Sequence, residues 1–128
     1  PHGFDRVLVD APCSSTGVIR RHPDIKLLRR ETDIATMAAN QLRILRACYG
    51  MLRPGGRLIY STCSLLPAEN EAVVSAFLGS RADAHAAEWP ESAPRPPGLL
   101  EREVGWQLLP DGDAGTDGFY YACLTRRS

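Results

Sequence analysis

The sequence predicts an α/β fold built on two neighbouring parallel strands. Two short apolar runs, at residues 7–9 and 58–60, are each followed by a loop rich in Ser, Thr, Pro and Cys. An amphipathic helix pattern at residues 33–52 lies between them. A connection of this length joins parallel strands of one sheet in a right-handed sense. We therefore expect an open sheet in which the two runs lie side by side.

The first strand is predicted from Val7, Leu8 and Val9, an apolar and partly β-branched run that ends at Asp10. Pro12 interrupts regular pairing because proline has no backbone N–H to donate. Residues 13–31 are polar and basic, with only short apolar pieces. They predict a long loop that has room for one helical turn.

The first helix is predicted from apolar residues that recur at steps of three and four. These residues form one stripe on a helical surface: Ile34, Met37, Ala38, Leu42, Leu45, Cys48, Tyr49 and Leu52. The P-G-G sequence at residues 54–56 is expected to end this helix and to turn the chain into the second strand.

The remaining elements are a second helix and two strands. Pro67 and Ala68 are expected to open the helix, which ends at Gly79. Residues 80–103 are rich in Ala, Pro and charge, and within them we expect residues 89–98 to be irregular surface chain. The final strands are predicted at residues 106–109 and 119–125, on either side of a turn-rich segment.

Composition limits the chain to one small domain with one modest core, since it has 128 residues of which 44% are hydrophobic. Fifteen basic and fifteen acidic side chains balance, so any affinity for nucleic acid must be local. The four cysteines have no C-x-x-C spacing, and we expect no metal site. No segment reads as a signal peptide or a membrane span, so we expect no membrane partner and a cytoplasmic location with reduced thiols.

Two cysteine-bearing loops follow the two predicted parallel strands. They are D-A-P-C-S-S-T-G at residues 10–17 and S-T-C-S-L-L-P-A-E-N-E at residues 61–71. Ligands of open α/β sheets bind at the carboxyl ends of the strands, and adjacent strands lie about 4.8 Å apart. We therefore expect Cys13 and Cys63 to face one small pocket. Cys48 and Cys123 lie on an apolar stripe and inside a strand, which predicts a packing role for both.

These loops, together with the P-G-G turn, the E-N-E at residues 69–71 and the D-G-F-Y-Y-A at residues 117–122, resemble the RNA 5-methylcytosine methyltransferases. The stretch G-V-I-R-R-H-P-D-I-K-x-L-R-R at residues 17–30 is similar to the bacterial subgroup of the Sun/Fmu type, which acts on 16S ribosomal RNA. The resemblance covers nearly all of residues 4–126. It implies a Rossmann-like sheet that uses S-adenosylmethionine, of which this chain supplies strands four to seven with two intervening helices.

The resemblance also implies a role for each motif residue. Cys63 is expected to be the nucleophile that adds to cytosine C6, and Cys13 is expected to assist product release. Asp10 is expected to lie beside both the cofactor and the target base, and Pro12 beside the cofactor. A loop aspartate that caps backbone donors is the alternative for Asp10. The E-N-E motif is expected to support the first turn of its helix, where carboxylates favour the positive end of the dipole.

Residues 20–30 carry five basic side chains against one acidic one, in an otherwise neutral chain. Such a run is usually a solvated face. Beside the first cysteine loop, we expect it to hold phosphates of ribosomal RNA. The residues concerned are Arg20, Arg21, Lys26, Arg29 and Arg30.

The chain is expected to be a fragment, the C-terminal part of a single catalytic domain over residues 1–128. It begins without Met on a predicted central strand, and it has no Gly-rich cofactor loop. The cofactor-binding N-terminal half and an RNA-binding region are expected to lie outside it. We expect such a fragment to be inactive alone and to self-associate through its exposed strand edge.

Two other functions are open. A DNA cytosine-C5 methyltransferase would use the cysteine of the P-C pair, which is Cys13, but this leaves the T-C-S loop unexplained. Amino methyltransferases carry D-P-P-Y or N-P-P-Y in the strand-end loop where this chain has Cys13, so we exclude them. The non-enzymatic alternative is a folded remnant that only binds RNA.

Overall fold

The computed structural model describes residues 3–14, 31–110 and 117–127. Within these ranges it contains six strands, two α-helices and one 3₁₀ turn. In chain order these are β1 (Phe4–Asp10), α1 (Glu31–Tyr49), β2 (Leu52–Thr62), the 3₁₀ turn (Pro67–Glu69), α2 (Glu71–Ser80), β3 (Ala84–Ala86), β4 (Leu99–Glu101), β5 (Trp106–Leu108) and β6 (Phe119–Arg126).

The described strands form one mixed sheet. β1 and β2 pair in parallel, with Val9 opposite Tyr60 and Asp10 opposite Ser61. β6 pairs antiparallel with β2 on one side, and with β5 and β3 on the other. The order along the sheet is β1-β2-β6-β5-β4. The predicted parallel neighbours joined through a helix, and the reversed strands beside them, are confirmed.

The end of α1 differs from the prediction, which carried the helix to Leu52. The helix ends at Tyr49, and Leu52 begins β2. Between them, the N–H groups of Gly50 and Met51 donate to the carbonyl oxygens of Arg46 and Cys48 and close the last turn. The P-G-G sequence therefore lies inside β2, where the register with β1 slips between Phe4 and Arg6. A Cβ on Gly56 would lie 2.6 Å from the Leu52 side chain, so the glycine permits this bulge.

The start of α2 also differs, because residues 67–69 form a 3₁₀ turn and the α-helix begins at Glu71. The Tyr60 hydroxyl donates to the Glu69 carbonyl oxygen at 2.9 Å, and the first α-helical bond runs from Val74 N–H to Asn70 O. The carbonyl of Glu69 is thus held by the sheet, and the helix starts one residue after Asn70.

Two short strands lie on either side of the segment predicted as irregular, and the sequence did not predict them. Residues 84–86 pair with β6 and residues 99–101 pair with β5. Each is only three residues long and is formed by its partner strand, with no sequence period of its own. Residues 89–98 contain no strand or helix, as predicted.

The core lies between the two helices and one face of the sheet. Tyr49 of α1 and Phe77 of α2 meet edge to face with ring centroids 4.9 Å apart, above Leu58 and Tyr60 of β2. The opposite face is open: Leu8 is 71% exposed and Ile59 is 44% exposed. A groove of about 710 Å³ on that face is lined by these two residues together with Trp89, Trp106 and Cys123. Neither described helix is long and apolar enough to cross a membrane.

Candidate active site

The site is built where β1 and β2 end together. The parallel register continues past the strand end, because the Ala11 N–H donates to the Ser61 carbonyl oxygen at 2.9 Å. This bond carries the two cysteine loops out of the sheet side by side. The Sγ atoms of Cys13 and Cys63 lie 3.3 Å apart, with Cys13 buried and Cys63 partly exposed. The structure therefore brings the two predicted thiols together, and the more accessible of the two is Cys63.

A buried carboxylate lies between the same two loops. The side chain of Glu69 is fully buried and accepts hydrogen bonds on both of its oxygens. Oε2 accepts from the Ser14 N–H at 2.8 Å, and Oε1 accepts from the hydroxyls of Ser14 and Ser64, the latter at 2.6 Å. Ser14 follows Cys13 directly and Ser64 follows Cys63 directly. One carboxylate is thus bonded to the residue after each thiol.

Gln41 of α1 connects the helix to this cluster. Its amide nitrogen donates to Glu69 Oε2 at 3.0 Å and to the Pro12 carbonyl oxygen at 2.8 Å. Gln41 is fully buried. The backbone on both sides of Cys13 is therefore held, at Pro12 by Gln41 and at Ser14 by Glu69.

A second polar layer holds the loop of Cys63. Asn70 donates to the Ser64 carbonyl oxygen at 2.9 Å and accepts from the Thr62 hydroxyl at 2.5 Å. Gln107 of β5 accepts from Asn70 at 3.0 Å and donates to the Phe119 carbonyl oxygen at 3.0 Å. Thr62, Ser64, Asn70 and Gln107 are all buried, so this loop is fixed from inside the molecule.

Tyr60 stays neutral beneath the cluster. Burial raises its pKa far above the ordinary value, and the neighbouring Glu69 and Cys13 raise it further. The hydroxyl therefore keeps its proton and remains a donor to the Glu69 carbonyl oxygen.

Sequence reasoning missed the roles of Glu69 and Gln41. Glu69 was expected to favour the positive end of a helix dipole, but its side chain points into the protein and bonds the cysteine loops. No sequence pattern indicated this role, because acidic residues are common at the start of a helix. A sign did exist for Gln41: it lies three residues after Ala38 and four before Leu45, on the apolar stripe of α1. A polar residue at such a position needs a buried partner.

The other predicted site residues fall into two groups. Asp10 and Pro12 are exposed at the carboxyl end of β1, on either side of buried Ala11. The basic residues Arg20, Arg21, Lys26, Arg29 and Arg30 lie outside the described residues. Among the described residues, no group of three or more His, Cys, Asp or Glu side chains could hold a metal ion.

Comparison with known proteins gives a consistent result. The family model described as 16S rRNA methyltransferase RsmB/F matches residues 1–125. The ribosomal RNA small subunit methyltransferase B of Shewanella oneidensis is 50% identical over 123 residues, which are 96% of this chain and 27% of that protein. The protein of the same name from Klebsiella pneumoniae subsp. pneumoniae is 52% identical over 126 residues, 97% of this chain and 26% of that protein.

Solved structures agree with the sheet described above. NSun6 from Pyrococcus horikoshii, solved with SFG, has a TM-score of 0.77 and 30% identity, covering 98% of this chain and 31% of that chain. A methyltransferase homolog protein from Pyrococcus horikoshii has a TM-score of 0.73 and 30% identity, covering 98% of this chain and 40% of that chain. The predicted Rossmann-like methyltransferase fold is confirmed.

This chain spans about a quarter of the length of the curated relatives named above. Within that quarter the family match extends from the first strand to the last, and it includes both cysteine loops. The chain therefore belongs to the RsmB/F family of 16S ribosomal RNA methyltransferases.

Proposed function

We propose that the protein transfers a methyl group to C5 of a cytosine in small-subunit ribosomal RNA. The observation that carries this proposal is the pair of thiols, 3.3 Å apart, at the carboxyl ends of two parallel strands. Residues 1–128 would form the C-terminal part of a single catalytic domain, and the remainder of the domain would complete the cofactor site. The reaction would take place in the cytoplasm, where ribosomal RNA is found and thiols are kept reduced.

Two thiols suit the chemistry of cytosine C5, which is a poor nucleophile. The Cys63 thiolate would add at C6 and move electron density onto C5, which then takes the methyl group. Transfer of the C5 proton to a general base would return the electron pair to the ring and expel the Cys63 thiolate. Cys13 would assist this release. The partial exposure of Cys63 supports its role as the thiol that meets the base, while Cys13 lies deeper.

S-adenosylmethionine supplies a methyl group on a positively charged sulfur. Asp10 and Pro12 would contact it, and the Asp10 carboxylate would also face the amino group of the cytosine. Both residues are exposed at the strand end beside the thiols, which leaves an acceptor and an apolar ring surface open to ligands. NSun6, a similar structure, was solved with SFG, an analogue of S-adenosylmethionine. The basic stretch from Arg20 to Arg30 would hold RNA phosphates beside the site.

The assignment of the two thiols is tested in the full-length enzyme. Cys63→Ala should abolish methyl transfer and the covalent RNA adduct, because no thiolate remains to add at C6. Cys13→Ala should still form the adduct but release it slowly, so that enzyme and RNA accumulate as a band on a denaturing gel. The matched control is Cys48→Ala, which removes a thiol packed against the core, and it should leave both measurements unchanged.

Two outcomes would contradict the proposal. In the first, Cys63→Ala still methylates RNA and Cys13→Ala cannot form the adduct. Cys13 would then be the nucleophile, as in the DNA cytosine-C5 methyltransferases. A full-length protein that binds RNA but neither binds S-adenosylmethionine by calorimetry nor produces 5-methylcytosine by nucleoside mass spectrometry would be the RNA-binding remnant.

A further inference from the structure

We propose that Glu69 is a positioning residue that holds Cys13 and Cys63 at the separation the reaction needs. The inference deepens the function proposed above and rests on it for the reaction, but the geometry can be tested separately. The carboxylate receives donors from three separate segments: the loop after β1, the loop after β2, and α1.

The four donors occupy both oxygens of the carboxylate. Oε1 accepts from the hydroxyls of Ser14 and Ser64, and Oε2 accepts from the Ser14 N–H and the Gln41 amide. A carboxylate offers acceptor positions only, about four in all, and each of them has a donor here. A glutamine at this position could turn its N–H donors only toward the two hydroxyls, because the Ser14 N–H and the Gln41 amide nitrogen can only donate. The hydroxyls would then have to accept, and the bonds that they donate to Oε1 would be lost. Only a carboxylate accepts from all four donors.

Stability alone does not account for this arrangement. Taking a carboxylate out of water is costly, and a buried charged group is weak evidence for a stabilising role. Glu69 has no exposed surface, and none of the ion pairs among the described residues includes it. What the carboxylate provides is a link between the two loops in addition to the backbone bond from the Ala11 N–H to the Ser61 carbonyl oxygen.

The link fixes the positions that decide thiol separation. Ser14 and Ser64 are each covalently adjacent to a thiol residue, and both bond to the same carboxylate oxygen. Because C5 and C6 of cytosine are bonded neighbours, the thiol that adds and the thiol that assists release must both reach a small region. A small change in the spacing of the loops would displace one sulfur from that region, and displacement of about 1 Å can lower a rate by roughly a hundredfold.

The spacing can be measured without the reaction by using phenylarsine oxide. This reagent condenses with two neighbouring thiols to form two As–S bonds and release one water, with no change in oxidation state. Wild-type full-length protein should bind one equivalent with high affinity, and either Cys13→Ala or Cys63→Ala should abolish this binding. Glu69→Gln should weaken the binding tenfold or more, as followed by intact-protein mass spectrometry and competition with a small dithiol.

The same variant should show a kinetic signature of misplaced groups. Glu69→Gln is expected to lower kcat tenfold to a hundredfold with little change in the KM for RNA, because RNA contacts are untouched. Glu71→Gln is the matched control, since it lies two residues away in the same E-N-E motif and begins α2. It should retain wild-type kcat and arsenical affinity.

The outcomes separate positioning from simple stabilisation. A Glu69→Gln protein that unfolds more easily but, below its melting temperature, keeps wild-type kcat and arsenical affinity would overturn the proposal. If Glu69→Gln does not fold, the double variant Ser14→Ala/Ser64→Ala removes both hydroxyl partners of Glu69. Its kcat and arsenical affinity should then fall, and wild-type values of both would overturn the proposal. If the wild-type protein makes no 5-methylcytosine, the proposed function fails, and the arsenical titration still shows whether Glu69 sets the thiol spacing.

Discussion

At the residue scale, Asp83 joins three parts of the fold remote from the thiols. Its carboxylate accepts from Arg81, which follows α2, and from Arg126 at the end of β6, each at 3.2 Å. Arg126 also donates to the Leu52 carbonyl oxygen, and both guanidinium groups lie over the ring of Tyr49, at 4.8 and 5.5 Å. The hydrogen bond from Arg81, then the charges of Arg81 and Arg126, lower the pKa of Asp83 below its usual range.

This lowered pKa predicts an acid-dependent loss of stability. A carboxylate with a lower pKa when folded stabilises fully above its ordinary pKa near 3.8, and the stabilisation is lost as pH falls through the folded value. Asp83→Asn should therefore lower the melting temperature at pH 7, and the gap to wild type should close toward pH 3.

The control for this prediction is Asp5→Asn. Asp5 pairs with Arg53, but both side chains are more than half exposed, and exposed pairs contribute little to stability. This variant should melt close to wild type at neutral pH. A wild-type advantage over Asp83→Asn that is equal at pH 3 and pH 7 would mean that the charge of Asp83 is irrelevant.

The two thiols could be predicted as site residues from the sequence, whereas the buried carboxylate could not. Cys13 and Cys63 could be selected because each follows a predicted strand in a polar loop, and strand ends in this fold class meet. Glu69 could not be selected, because its role depends on hydrogen bonds to Ser14 and Gln41, which are distant in sequence. Glu69 leaves no local pattern of its role, whereas Gln41 does, because it interrupts an apolar stripe.

At the element scale, the turn from β4 to β5 depends on one glycine. Gly105 has a φ of +80°, and a Cβ there would lie 2.4 Å from the Tyr120 hydroxyl oxygen and 2.5 Å from the Tyr121 carbonyl oxygen. The Tyr120 hydroxyl donates to the Val104 carbonyl oxygen at 2.5 Å, so it cannot move away without losing that bond. The turn and the buried tyrosine of β6 therefore fit only around a residue without a side chain.

Gly105→Ala should lower the free energy of unfolding by about 2 to 5 kcal/mol, because backbone strain and overpacking add. Gly98→Ala is matched in φ, also +80°, but has nothing within 4 Å of the added Cβ. It should cost only about 1 kcal/mol, the penalty for the left-handed backbone. Equal losses for the two variants in urea unfolding would show that the contact with Tyr120 is unimportant.

Long elements were predicted well, and short ones were not. The stripe of α1 and the apolar runs of β1, β2 and β6 each carry their own period, which local sequence reveals. β3 and β4 exist only because β6 and β5 present free edges to residues 84–86 and 99–101. The extension of β2 back to Leu52 likewise depends on the pairing of Leu52 with Phe4. This pairing spans a bulge, whereas the P-G-G sequence alone predicts a turn.

At the scale of the whole molecule, the β1 edge and one face of the sheet remain uncovered in the described part of the chain. β1 is at the end of the strand order, and Phe4 and Leu8 on it are 60% and 71% exposed. An exposed apolar strand edge pairs with other chains. We expect the 128-residue chain to self-associate, and the associated fraction should rise with its concentration.

The association is tested by sedimentation of two single variants. Leu8→Lys places a charge on β1 and should shift the chain toward monomer. Leu109→Lys, which changes an exposed leucine outside β1, should leave the association unchanged. Wild-type sedimentation as a monomer at all concentrations, or an equal effect of both substitutions, would contradict an association through β1.

The position of β6 also has a consequence for how the chain is made. Tyr60 pairs with Ala122, so β2 is completed by a strand that follows α2 and all the shorter strands. A ribosome delivers β1, α1 and β2 before β6, so the edge of β2 that pairs with β6 has no partner while the intervening residues are synthesised. Because such distant pairing is slow and leaves an apolar edge open, we expect β2 to be a site of aggregation in the nascent chain until β6 has emerged.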